Sequence, residues 1–220
     1  MQRYSLLTFL LIVLLATLPP VTIAQDKAVL PFSMVSSYLD LFKSLEHLDQ
    51  IIPSMMISST NPEIGPQAIE FKIKSSNGWQ VFSPGDNDVI EFPDQPEWAN
   101  MNLISNQPKG SLQLMIGFSA KPLNSTSTSY QELMGLVAQF EEALAALAGV
   151  QGEPPPKIKG LTIQMPEGSG AAAHLLLQKG KKTLKPYSTG IVVIRYEEAL
   201  WQENPPVEFD ELPLGIVPLR

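Results

Sequence analysis

Two stretches of the chain place apolar residues at steps of three and four: Tyr38, Leu41, Phe42, Leu45, Leu48 and Ile52, then Tyr130, Leu133, Val137, Phe140, Leu144 and Leu147. That spacing puts each set on one side of a 3.6-residue helix. A serine stands three residues before an acid at the head of each, Ser37 with Asp40 and Ser129 with Glu132. In such a capping box the hydroxyl accepts from a first-turn N–H and the acid answers the serine's own N–H. The pattern predicts two helices, each starting at its serine.

Elsewhere the period falls to two. Short alternating runs predict strands near residues 54–58, 68–74, 80–82, 88–92 and 111–118. A second series follows near 160–165, 172–178, 183–185, 190–196, 207–209 and 214–217. Asn77-Gly78 and Lys179-Gly180-Lys181 are the expected hairpin turns, because glycine accepts positive φ without steric cost.

The two series share an order. Shifted by 92 positions, the first stripe lands on the second, and residues 69–73 (IEFKI) land on 161–165 (LTIQM). An insertion of about ten residues near 168–174 (GSGAAAH) raises the shift to 102, where Phe82 and Pro84 meet Leu184 and Pro186, and Val89 meets Ile191. Trp98 and Trp201 follow at 103, and the Pro-x-Gly of Pro108 and Gly110 meets that of Pro213 and Gly215 at 105. The expected fold is α+β, a tandem duplication of a helix followed by a small, mostly antiparallel sheet. Residues 1–24 form a leader, 25–122 the first unit and 123–220 the second, joined at 121–127 (KPLNSTS).

The leader reads as a secretory signal peptide: Arg3 is its positive end, residues 6–18 its apolar run, and Thr22 and Ala24 its small cleavage-site residues. The run is short for a membrane span of roughly 20 residues, and no stable span is expected in the mature chain. There is no cysteine, which removes disulfides, thiolate chemistry and cysteine metal sites, and suits the periplasm, with secretion as the alternative. The net charge of −7 becomes one more negative without Arg3, which argues against nucleic acid and anionic membrane surfaces as partners.

Candidate chemistry is sparse. The chain has two histidines: His47 lies among charged residues and reads as a surface position, and His174 opens an apolar strand. No G-x-S-x-G elbow presents a nucleophilic serine, and no glycine-rich phosphate or dinucleotide fingerprint is present. Asp86, Asp88 and Glu91 lack the regular spacing of a calcium loop, so no metal and no cofactor is expected. Glu197, Glu198 and Glu203 flank Trp201, the kind of acid pair beside an aromatic that a glycosidase uses, although an acidic loop explains them more simply. Asn124-Ser125-Thr126 matches a glycosylation sequon.

The phrases FPDQPEW and NQPKGSLQL in the first unit, and EEALWQENPPVEFDELPLGIVP in the second, resemble a group of exported Gram-negative proteobacterial proteins of unknown function. The resemblance implies a periplasmic home and supplies no active residues. The expected function is a non-enzymatic binding or scaffold protein of the envelope, engaging an envelope protein or small ligand at the seam between the units. Candidate binding residues are Trp98, Trp201 and Glu203. The alternatives are an assembly or secretion accessory offering an exposed strand edge, and a hydrolase of envelope glycans or peptides.

Overall fold

A computed structural model describes residues 26–85, 88–187 and 189–220; the leader lies outside the described residues. The first half runs β1 (Lys27–Pro31), α1 (Phe32–Ser44), β2 (Ile51–Ser59), β3 (Phe71–Ser75), β4 (Gly78–Phe82), β5 (Asn102–Pro108) and β6 (Leu112–Ala120). The second half runs β7 (Ser127–Ser129), α2 (Tyr130–Gln151), β8 (Gly160–Gln164), β9 (Ala173–Leu177), β10 (Gly180–Leu184), β11 (Ile191–Arg195), α3 (Glu198–Glu203), β12 (Pro206–Phe209) and β13 (Gly215–Leu219). Helices and antiparallel sheets make the fold α+β.

The helix count departs from the expectation of one per unit. α3 stands where the first half has only a 3₁₀ turn, Pro96–Trp98. Each half also opens on a strand that the sequence pattern does not announce.

Four strands form a sheet ordered β1-β5-β3-β4 in the first half, and four form one ordered β7-β12-β9-β10 in the second. A second, smaller sheet accompanies each: β2-β6 in the first half, β11-β8-β13 in the second. Where β11 pairs with β8, the first half has a single bridge between Met56 and Val89. Backbone hydrogen bonds recur in the same places. Gly85 and Tyr187 donate to Val89 and Ile191 at 2.8 and 2.9 Å, and Ile57 and Met165 donate to Asp88 and Gly190 at 3.1 and 2.8 Å. Asp88 and Gly190 both take positive φ, 65° and 72°.

These registers move the sequence correspondence. In strand order β3 (residues 71–75) holds the place in its sheet that β9 (173–177), 102 residues on, holds in its own, while β2, not residues 69–73, holds the place of β8. α2 has 22 residues against 13 in α1.

α2 begins where the cap predicts: Ser129 Oγ accepts from the Glu132 N–H at 3.1 Å. It ends at Gly152, whose φ of 71° closes the last turn in the left-handed region. By length and composition it could cross a membrane; here Tyr130, Leu133, Phe140, Leu144 and Leu147 are buried in the core.

α1 corrects the first cap. It starts at Phe32, behind Pro31, with no side-chain cap, and Ser37 sits inside it, donating to the Ser33 carbonyl at 2.9 Å. It ends at Ser44 with Leu45 as its C-cap, so Leu48 lies in the connection beyond it and Ile52 enters β2.

The seam between halves is closed. Leu41, Leu45, Ile51 and Phe118 pack in one apolar cluster with Leu133, Phe140, Ile163 and Ile216. α1 meets α2, and β6 lies against β13. Polar contacts cross the same boundary: His47 Nε2 is 2.7 Å from Glu142 Oε1, and Gln139 accepts from the Gln50 N–H and donates to Asp49. A second cluster fills the first half alone, with Phe32, Ile57, Phe71, Trp98 and Leu103 at its centre.

Candidate functional site

Each four-stranded sheet turns one face to its core and one to solvent. On β3, Phe71 and Ile73 are buried while Lys72 and Lys74 are exposed; on β5, Leu103 is buried and Ile104 partly exposed. Register then lines up an outer row across all four strands. Val29 faces Ile104, Ile104 faces Lys72, and Lys72 faces Val81, with Trp79 beside Lys74 in the next row. Val29, Val81 and Trp79 are 55%, 52% and 57% exposed, well above ordinary burial for such side chains. Trp79 and Val81, with Lys27, Lys72, Ile104, Ser105 and Asn106, line a concavity of about 640 Å³.

The same row in the second half has different chemistry. Ser127 faces Glu208, Glu208 faces His174, and His174 faces Thr183. Two of them are tied down: His174 Nδ1 lies 3.1 Å from Thr183 Oγ1, and its Nε2 lies 2.9 Å from Asp210 Oδ1. Asp210 also accepts from the Ala172 N–H at 2.9 Å. That backbone donor and then His174 hold its carboxyl below the ordinary aspartate range. Thr183, His174 and Asp210 thus form a hydroxyl–imidazole–carboxylate chain, a connection invisible from sequence because it spans three strands. The hydroxyl sits mid-strand on β10 rather than on an exposed elbow, and the chain straps β10, β9 and the end of β12 together.

The sequence-derived candidates are scattered. Trp98 is 3% exposed and packs edge-on against Phe32, with ring centroids 5.4 Å apart, inside the first-half core. Trp201 is partly exposed and leans on Tyr196 at 5.9 Å; Leu200, not Trp201, is the buried residue of α3. Glu203 Oε1 accepts from the Gln178 N–H at 2.6 Å and so ties α3 to the β9–β10 turn.

The acidic loop is also engaged. Glu197 lies 3.5 Å from Lys182. Glu198 accepts from Gln202 at 2.8 Å and from the Tyr196 hydroxyl at 3.0 Å. Those two bonds, Gln202 first, hold its carboxyl below the ordinary range, the opposite of what a general acid requires.

The buried phenol of Tyr130 links this loop to α2: it donates to the Arg195 carbonyl at 2.7 Å and accepts from the Glu197 N–H at 2.8 Å. Burial pushes its ionisation up.

His47 is exposed beside Glu142, and Asn124, Ser125 and Thr126 lie in the exposed loop between halves. Asp86 lies outside the described residues; among the described residues, no three metal-capable side chains cluster. Five concavities of the structure are each lined by residues of a single half, so the seam offers none of them. No protein-family model, no curated protein and no solved structure matches the chain.

Proposed function

We propose that the chain is an exported, non-enzymatic binding protein of the bacterial envelope that engages a protein partner through the solvent face of its β1-β5-β3-β4 sheet. The observation that carries this is the contrast between equivalent rows. Val29, Ile104, Lys72 and Val81 leave apolar surface in water, where Ser127, Glu208, His174 and Thr183 present polar groups, two of them, His174 and Thr183, hydrogen-bonded to each other. Exposed apolar patches on soluble proteins mark interaction sites. The seam, filled by the shared core, is the less suitable place. The leader and the cysteine-free mature chain support the periplasm as its location.

The same reading takes the two halves as divergent products of a tandem duplication. Its support is the repeated strand order and the matched hydrogen bonds around Asp88 and Gly190. α1 meeting α2 and β6 meeting β13 adds self-equivalent contacts of the kind a twofold arrangement makes. The surface that binds is then one copy's face, freed to change while the other kept a closed one.

The test is a photo-crosslinking amino acid placed at position 79 and, separately, at position 183 in the exporting cell. A discrete adduct from 79 and none from 183 is the expected result. Equal adducts from both, or none from 79, would end this reading.

A further inference from the structure

β4 is an edge strand: among the described residues it is paired on one side by β3 and by no strand on the other. Unpaired edges template the addition of another strand, and proteins blunt them with charge, lysine above all. β10 holds the equivalent edge of the second sheet and is blunted in this way: its sequence is GKKTL, with Lys181 and Lys182 in the strand and Lys179 and Lys185 just outside it. β4 reads GWQVF and carries no charge. Register places Gly78 against Ser75 as it places Gly180 against Leu177, and Phe82 against Phe71 as Leu184 against Ala173. The two hairpins therefore share a register and differ in the side chains along their edges.

The charges near β4 sit one strand inward. Lys72 and Lys74 stand beside Val81 and Trp79 on the solvent face, and Lys27 borders the same concavity. Among the described residues the one carboxylate paired with them is Glu70, 3.3 Å from Lys72. A positive fringe on an acidic protein selects for a negative partner.

We infer that β4 accepts an extended acidic segment of a partner protein as a fifth strand, through its free backbone edge, with Trp79 and Val81 gripping apolar side chains and Lys72 and Lys74 meeting carboxylates. This rests on the proposed binding role and names the partner's form. Strand addition supplies affinity through main-chain hydrogen bonds and specificity through alternate side chains. Strands lie roughly 5 Å apart, a distance a lysine side chain on β3 is long enough to span across β4 to an incoming chain.

The probe is a ten-residue peptide alternating glutamate with valine, compared with one carrying lysine in place of glutamate. Amide hydrogen exchange is followed residue by residue on the whole mature chain, together with tryptophan fluorescence. The glutamate peptide should slow exchange across residues 79–81 by about tenfold or more, and the lysine peptide should not.

The triple variant Trp79→Lys, Gln80→Lys, Val81→Thr writes the β10 edge onto β4 and should abolish the protection. Should that variant fold poorly, Lys72→Glu with Lys74→Glu changes only exposed side chains and should weaken the glutamate peptide by about two- to fivefold per lysine. A fluorescence change without protection of residues 79–81 overturns strand addition and leaves face binding standing. Absence of both responses overturns strand addition as well, and the crosslinking result at position 79 then decides the wider reading separately.

Discussion

Phe32 and Tyr130 occupy the same corner of the two halves. Each is the first residue of its helix, each is fully buried, and each donates its backbone N–H to the residue just before the returning strand, Met101 at 2.9 Å and Pro205 at 3.0 Å. They differ by a hydroxyl. Phe32 meets the ring of Trp98, whereas Tyr130 reaches the backbone at Arg195 and Glu197.

Tyr130→Phe should destabilise the protein by about 1–3 kcal/mol, the cost of leaving a partly buried donor and acceptor without their shared partner. Urea unfolding measured against the parent chain checks it, and an unchanged midpoint would show that water replaces the hydroxyl without loss.

The three tryptophans should separate by environment. Trp98→Ala removes a ring packed on Phe32 and Phe82 and should cost about 3–5 kcal/mol. Trp201→Ala, at a partly exposed ring, should cost less than half as much. Quenching by acrylamide should remove the Trp79 contribution first, and a fast-quenching Trp98 would contradict its burial.

Gly160 opens β8 with φ of 148°, and a Cβ there would collide with the Ile194 carbonyl oxygen. Gly160→Ala should therefore cost about 1–3 kcal/mol in backbone conformation alone, with the clash added to it. Thermal unfolding of this variant beside Gly65→Ala, where a Cβ meets nothing within 4 Å, isolates the effect.

Acid stability should depend on Asp210. Its folded-state ionisation lies below the ordinary aspartate value of about 3.9, so its contribution is present above that pH and disappears as pH falls through the lower, folded value. Asp210→Asn should be less stable than the parent at neutral pH, and the gap should close on acidification below about pH 4. A gap that stays constant from pH 7 to pH 2 would sink this assignment.

Residues 26–122 expressed alone should not fold cooperatively. Leu41, Leu45, Ile51 and Phe118 lose the second half's side chains that cover them. Dispersed amide spectra from this fragment would contradict the shared core.

Where local chemistry decides an element, the sequence is a sound guide. The α2 cap, its stripe and its terminal Gly152 are all local. Ser37 and Asp40 imitate that cap inside a helix already begun, because Pro31 fixes the start five residues earlier without any side-chain signal. β5 escapes the alternating pattern since its inward residues after Leu103 are polar: Ser105 and Gln107 are buried, Ser105 Oγ accepting from the Gln107 N–H and Gln107 Nε2 donating to Asn106 Oδ1 and the Ala68 carbonyl. The candidate site is harder still. Val29, Lys72, Val81 and Ile104 become neighbours only through strand register, which no local spacing encodes.

The shared core also sets a timetable. A chain that emerges from its amino end completes β6 while the side chains that cover Leu41 and Phe118 are still missing, and it remains so until the α2 stripe has arrived. The early half must wait with its apolar flank open, an interval in which collapse onto the wrong surface competes with folding. Speed of delivery, as much as stability, should then govern yield: for the mature chain made without its leader, slowing synthesis between residues 120 and 150 should lower the recovery of soluble protein, and a holding chaperone that shields the waiting half should restore it.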